Sequence, residues 1–260
     1  MARKSIVKGP KPTFPGGGTV AFVKGYSKED VLYDEDIFNR EIPGTPPFLG
    51  FYRAALSFEL LKNHIGYDFI HDREKENTKL FIKLINEQNE AFMKEKIPAS
   101  IVIYGSQDFS KRANVITMNL YYNNEVVQHS FASLILADAF GIQLRSGCFC
   151  AGPFGMQLLK VDPETAERLS SVVSVGILKE KPGYLRLDLT FYLEKFEIEY
   201  LAYAIGLTAR YVKKMQMVYT ICNDGEIKRH KLFKHTFEEM FSLSNSMLAE
   251  ESIKKNLMNH

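Results

Sequence analysis

Arg145-Ser-Gly-Cys148-Phe-Cys150-Ala-Gly-Pro153 gathers a guanidinium and two thiols in one short stretch that also carries glycine and proline. A strand-like run at 141–144 precedes it and a helix-like run at 154–160 follows, so the pattern predicts a connector with reactive groups at its tip. Connectors held by a rigid scaffold are where binding and catalytic groups concentrate. A thiolate there is a nucleophile, and a nearby cation favours it over a thiol whose unperturbed pKa is about 8.5. Two small buried hydrophobes, the usual state of free cysteines, fit the same residues. A second arginine stands in Gly183-Tyr-Leu-Arg186-Leu-Asp-Leu189, where period two sets Arg186 and Asp188 on one face and Leu185, Leu187 and Leu189 on the other. Such an arginine is either paired with an acid at the sheet edge or a bidentate clamp for a carboxylate, a geometry that lysine lacks.

The elements that would position these groups follow from hydrophobic period. Strand-like runs at 19–23, 101–104, 115–121 and 184–190 are interspersed with helix-like runs at 44–66, 70–92, 130–140 and from 194 onward. This order predicts an α/β fold, with one sheet and helices against it. Thr45 is the expected cap of the helix opening at Gly44-Thr45-Pro46-Pro47, and a helix start there also attracts anions. Phe48, Leu49, Phe51, Tyr52, Leu56, Phe58 and Leu60 leave that helix little polar face, which predicts burial on most sides. Ser130 is the expected cap of the 130–140 helix with Gly141 as its stop, and Asp162 caps another short helix with Pro163 in its first turn. Gly16-Gly17-Gly18 predicts a tight loop and 25–42 a polar surface excursion. A hairpin is expected at 218–230 about an Asp224-Gly225 two-residue turn, and a capping box at Thr236 opens a last helix.

A chain of 260 residues with 45% hydrophobic content can build a substantial core, and a formal net charge of +2 without basic runs argues against nucleic acid. No apolar run approaches the roughly 20 residues that span a bilayer. Three cysteines, with Cys-x-Cys too tight for an unstrained bridge, point to a reducing, cytoplasmic setting. The cysteines and six histidines form no metal-ligand spacing, so no metal is expected.

Arg-x-Gly-x-x-Cys after a strand, Arg186 in its later strand, Pro15-Gly-Gly-Gly-Thr19-Val and Glu41-Ile-Pro-Gly44-Thr45-Pro46 occur in one order, from about residue 12 to about residue 215. In this the chain resembles the class V aminotransferase and cysteine desulfurase family, pyridoxal-phosphate (PLP) enzymes of fold type I. The wording around Cys148 and Cys150 is closest to the desulfurase-like domain of the molybdenum cofactor sulfurases. The resemblance implies the C-terminal part of a fold type I enzyme: a remnant of the large cofactor domain with a long connecting helix at 1–66, a small α/β domain at 67–216, and a hairpin and helix extension at 217–260. It implies PLP as cofactor, with Gly44 and Thr45 as cofactor residues, Thr45 at the phosphate of the neighbouring subunit, Arg186 on the carboxylate of a small amino-acid substrate, Arg145 ordering the loop and its charge, and Cys150 as the nucleophile that becomes a persulfide. The family's Schiff-base lysine has no counterpart in this sequence. The expected partner is therefore an upstream half of the same enzyme or a second copy, and the 44–66 helix, covered by that half, would leave an apolar surface exposed here. The alternatives are a catalytically incomplete pseudoenzyme or interaction module, and a class V transamination or lyase reaction on another amino acid.

Overall fold

Two turns rich in glycine and proline interlock near the start of the chain. The backbone N–H of Gly44 donates to the Gly17 carbonyl at 2.7 Å, and the Thr19 hydroxyl closes its own turn on the Gly16 carbonyl at 2.7 Å. A Cβ on Gly16 would stand 2.7 Å from that of Pro43, so only glycine allows this approach. The computed structural model describes residues 7, 9–27, 31–106, 108, 111–147 and 152–229. The chain divides into two compact units, Met1–Tyr67 and Asp68–His260.

In the first unit β1 (Val20–Val23) pairs with β2 (Val31–Tyr33), and α1 (Ile37–Glu41) follows. The stretch 25–42 is thus more than a surface excursion: Asp36 caps α1 by accepting from the backbone of Phe38 and Asn39, and the buried Arg40 donates to the Asp34 carbonyl at 2.9 Å. The long helix begins later than expected. α2 (Phe48–Glu59) has Pro47, not Thr45, at its N-cap, with no side-chain cap, and continues as a π-helical turn to Ile65 before Gly66 stops it. Pro47 disfavours the α region at Pro46, so the helix forms only after the second proline, when the Pro47 carbonyl accepts from Phe51 at 3.0 Å. None of α2 is buried, and Leu49, Tyr52, Leu56 and Phe58 are exposed, so the burial expected of this helix is not met among the described residues.

The second unit is built on an antiparallel sheet. α3 (Tyr67–Lys94) leads to β3 (Ala99–Tyr104), β4 (Val115–Tyr122), β5 (Glu125–Val126), α4 (His129–Phe140), β6 (Arg145–Gly147), α5 (Gly152–Leu158), α6 (Pro163–Ser174), β7 (Tyr184–Asp188), α7 (Lys195–Gln216), and the pair β8 (Tyr219–Ile221) and β9 (Ile227–Arg229). The sheet order is β3-β4-β7-β6, with β5 beside β4. Period two in β4 and β7 sends Ile116, Met118, Leu120, Leu185 and Leu187 into one core with Phe81 and Ile85 of α3, Phe131 and Ile135 of α4, and Ile205 and Val212 of α7. The side chain of Asn89 on α3 both accepts from Ile101 N–H at 2.8 Å and donates to its carbonyl at 2.9 Å, which satisfies part of the β3 edge. Gly206 admits Gln88 so closely that a Cβ would stand 2.7 Å from its Oε1, which lets α7 approach α3.

Three local expectations change. Residue 128, not 130, caps α4: the Gln128 side chain accepts from Phe131 N–H at 2.7 Å, while Ser130 lies inside the helix and contacts His129 Nδ1. The hairpin loop is longer than two residues, because Cys222 and Glu226 still pair and Gly225, at φ +81°, ends a three-residue loop. No strand forms at 141–144. There the left-handed Gly141 and the Ile142 N–H, bonded to the Leu136 carbonyl at 2.9 Å, finish α4, so pairing starts at Arg145. Asp162 and Glu194 cap α6 and α7, the latter in a reciprocal capping box with Glu197. Thr236 lies outside the described residues.

α7 is tied to the end of α3 by a bidentate ion pair. Arg210, 6% exposed at its side chain, reaches both Glu95 oxygens at 2.6 and 3.1 Å and stacks over Phe92. Arg210→Ala is expected to lower stability by about 2 kcal/mol, with Arg210→Lys recovering only part because it loses the fork. Urea denaturation of the two variants measures this.

Candidate functional site

The sheet has a second, polar face. Opposite the core residues of β4 lie Thr117, Asn119 and Tyr121, and opposite those of β7 lie Tyr184, Arg186 and Asp188. Register then decides which groups meet. Tyr104 stands opposite Thr117, Thr117 opposite Arg186, and Arg186 opposite Arg145, so one row crosses β3, β4, β7 and β6. Directly opposed residues on antiparallel strands have Cβ atoms about 5 Å apart, so the two arginines are cross-strand neighbours on one face. Like charges in that position destabilise a sheet unless anions are nearby. Arg145 is exposed and Arg186 intermediate, and Arg186 Nη2 lies 3.7 Å from Asp188 Oδ2.

Tyr104, Tyr121 and Asn119 on this face are uncharged and hydrogen-bonded. Tyr104 and Tyr121 share their hydroxyls at 3.0 Å, while Asn119 Nδ2 donates to the Gly183 carbonyl at 3.0 Å and reaches the Tyr104 oxygen at 3.4 Å. Burial first, then the Tyr121 hydroxyl, pushes the Tyr104 pKa above the ordinary phenol value, so Tyr104 stays neutral and serves as a hydrogen-bonding group, not a base. The arginine pair thus sits beside a neutral polar wall.

His129 seals the other end of the β6–β7 pair. Its Nε2 lies 3.3 Å from the Lys181 carbonyl, which can only accept, so this nitrogen carries the proton and Nδ1 accepts from the Ser130 hydroxyl. The ring packs over Gly183 so closely that a Cβ there would fall 2.4 Å from it and 2.9 Å from the Gly147 Cα. Gly147 itself is at φ +107°, which favours glycine. This neighbourhood also lines a cavity of about 590 Å³ with Asn119, Tyr121, Val127, Leu159 and Ile221.

Of the residues singled out in the sequence, Arg145 and Arg186 come together, in strands and not on a loop. Cys148 and Cys150 lie outside the described residues, in the stretch that links β6 to α5. Gly44 and Thr45 belong to the first unit, both exposed, Gly44 at φ +74°. They lie just before the first turn of α2, where backbone N–H groups such as those of Leu49 and Gly50 have no intrahelical acceptor, and a threonine hydroxyl beside such donors suits a phosphate. Thr117, Tyr104, Asn119 and His129 were not singled out. A signal existed for two of them: Thr117 and Asn119 are the polar members of an otherwise apolar strand, spaced by two.

Comparison with known proteins gives the following. The profile of the aminotransferase class-V family matches residues 1–201. No curated protein matches in sequence. Among solved structures, the apo cysteine desulfurase of Thermococcus onnurineus NA1 is similar with TM-score 0.50 and 23% identity, over 76% of this chain and 39% of that one. The cysteine desulfurase CsdA of Escherichia coli, in an S-sulfonic acid form, gives TM-score 0.42 and 18% identity over 80% of this chain and 39% of its own. The chain therefore spans 39% of the length of each. The first likeness is one of fold: the α/β class expected from the sequence is the class found, part of the cysteine desulfurase architecture. No helix among the described residues is long and apolar enough to cross a membrane.

Gly183→Ala is expected to force the His129 ring and Gly147 apart and to cost about 1–3 kcal/mol, read as a lower midpoint in thermal or urea unfolding. Burial, partly opposed by the Lys181 carbonyl, lowers the His129 pKa below its ordinary 6.5. The unfolded chain then binds the extra proton first, so this contribution is complete above that ordinary value and is lost as pH falls through it toward the folded one. Melting temperature measured between about pH 7.5 and pH 5.5 should fall less steeply in His129→Gln than in the parent.

Proposed function

Because this chain belongs to the aminotransferase class-V family, we propose that it supplies the substrate-carboxylate and sulfur-accepting share of a PLP-dependent cysteine desulfurase or sulfurase. The observation that carries this reading is the cross-strand pairing of Arg145 with Arg186 on the polar sheet face. Arg186 would hold the carboxylate of a small amino acid in its planar fork, with Arg145 adding positive charge beside it. The same charge, on the strand that leads into the cysteine stretch, would favour the thiolate of Cys150. That thiolate would take the sulfur of a cysteine substrate, leaving a persulfide on Cys150 and releasing alanine. Gly44 and Thr45, before the start of α2, would hold the cofactor phosphate of a neighbouring subunit. When bound, PLP supplies an electron sink that loosens bonds at the substrate's α-carbon. The domain roles proposed with this reading are a cofactor-side remnant at 1–66, a small substrate-side domain at 67–216 and an extension at 217–260. The remaining share of the active site would come from another part of the same enzyme or from a second copy of it.

Two measurements test the proposal. Alanine, offered to the purified chain and followed by NMR titration, should bind at least about tenfold more weakly to Arg186→Ala, with little recovery in Arg186→Lys, the size expected for one lost charged hydrogen-bond pair. Protein given cysteine and PLP together with the part of the enzyme that completes the site, then isolated under alkylating conditions without reductant, should carry one additional sulfur atom on Cys150, found by mass spectrometry and absent in Cys150→Ser. Alanine binding that ignores Arg186, or a Cys150 that never carries sulfur, would contradict the reading.

A further inference from the structure

We propose that the cavity of about 590 Å³ bordered by Asn119, Tyr121 and His129 is a second small-molecule site, which takes an uncharged amphipathic ligand: a hydroxyl or carboxamide head on a short apolar body. Its volume lies within the range of pockets that hold small ligands. The inference does not depend on the carboxylate reading of the arginine row. Asn119 and Tyr121 follow Thr117 on the polar face of β4, two and four residues on, so they stand about 7 and 14 Å along the strand from that row. Val127, Leu159, Val161, Leu169 and Ile221 give the same cavity an apolar wall.

Two polar groups at the floor of this cavity have complementary needs. Asn119 is 1% exposed. Its amide nitrogen donates to the Gly183 carbonyl at 3.0 Å and reaches the Tyr104 oxygen at 3.4 Å, while its buried Oδ1 has no donor among the described residues. A buried acceptor left without a donor is destabilising and rare. The Tyr104 and Tyr121 hydroxyls, 3.0 Å apart, carry two protons and use one between them. Of these two phenols Tyr121 borders the cavity, so its O–H is the one placed to turn into it. His129 adds no further polar group, because both its ring nitrogens are engaged.

The floor thus offers one donor and one acceptor. A hydroxyl or a carboxamide answers both, accepting from Tyr121 and donating to Asn119. A carboxylate only accepts, so it would set its charge against Asn119 Oδ1 and leave that oxygen unmatched. An ammonium only donates and leaves the Tyr121 proton unused. Either ion would also give up its water to enter beside a residue as buried as Asn119. Lys179, Glu180 and Lys181 bring charges of both signs to the cavity, but Glu180 and Lys181 are exposed and screened by solvent.

The test titrates hexanamide, 1-hexanol and hexanoate into the purified chain, with NMR shifts of the Val127, Leu159 and Ile221 methyl groups as readout. The two neutral probes should bind about tenfold or more tighter than hexanoate, with the backbone amides of Arg145 and Arg186 unmoved. Tyr121→Phe, which removes only the hydroxyl, should weaken both neutral probes about fivefold or more. Leu169→Trp, which fills part of the cavity from α6, should weaken them as well and serves if Tyr121→Phe fails to fold. No shift with either neutral probe, hexanoate binding as tightly as hexanamide, or affinities indifferent to both variants would overturn the proposal.

Discussion

Antiparallel pairing of β6 with β7 sets Arg145 opposite Arg186, and everything distinctive about the polar sheet face depends on that register. A slip of one residue would send Arg186 to the core and Leu185 to solvent. The leucines guard against it: Leu185 is fully buried and Leu187 nearly so, in the same core as Met118 and Ile116 of β4. The hydrophobic effect on one face thus fixes the position of charge on the other. Two guanidinium groups opposed across a strand pair repel each other, and the half-exposed Asp188, 3.7 Å from Arg186, offsets part of that repulsion.

The short length of β6 makes this arrangement depend on its neighbours. Only Arg145, Ser146 and Gly147 pair with β7. At one end the Schellman-type close of α4 consumes the backbone of 141 and 142, so the strand begins at Arg145. At the other end Gly147 and Gly183 admit the His129 ring, which is fixed in turn by the Lys181 carbonyl. α4 therefore contributes at both ends, through Gly141 and through its first residue. Packing of α4 and α7 on the sheet, with α7 clamped to α3 by Arg210 and Glu95, supplies the rigid support that a three-residue strand cannot provide alone.

Much of this scaffold was legible in the sequence wherever a single period ruled. Met118 with Leu120, Leu185 with Leu187 and Leu189, and the α7 stripe at Ile198, Ala202, Ile205, Ala209 and Val212 each follow one face, and Asp162 with Pro163 is an unambiguous helix start. Errors came where two local preferences compete. Thr45 is a good cap in isolation, but Pro46-Pro47 delays the helix, and Ser130 gave way to Gln128, whose longer side chain can also reach the Phe131 amide. Strand order was beyond local reading: the pairing of β4 with β7 joins residues far apart in sequence, and nothing in either strand announces its partner. For that reason the two arginines could each be picked out by type and context, while their meeting in one row could not. The family resemblance carried what periodicity could not, and the match over residues 1–201 places the chain in that family.

The central claim is that Arg145 and Arg186 act on one ligand as a pair. A double-mutant cycle on propionate binding, with Arg145→Gln, Arg186→Gln and both together, measures this directly. The account predicts strong non-additivity, a coupling of about 1 kcal/mol or more, because either loss alone removes most of the binding that the pair provides. Independent, additive losses would mean that the arginines serve different ligands or none in common, and the shared site would have to be abandoned.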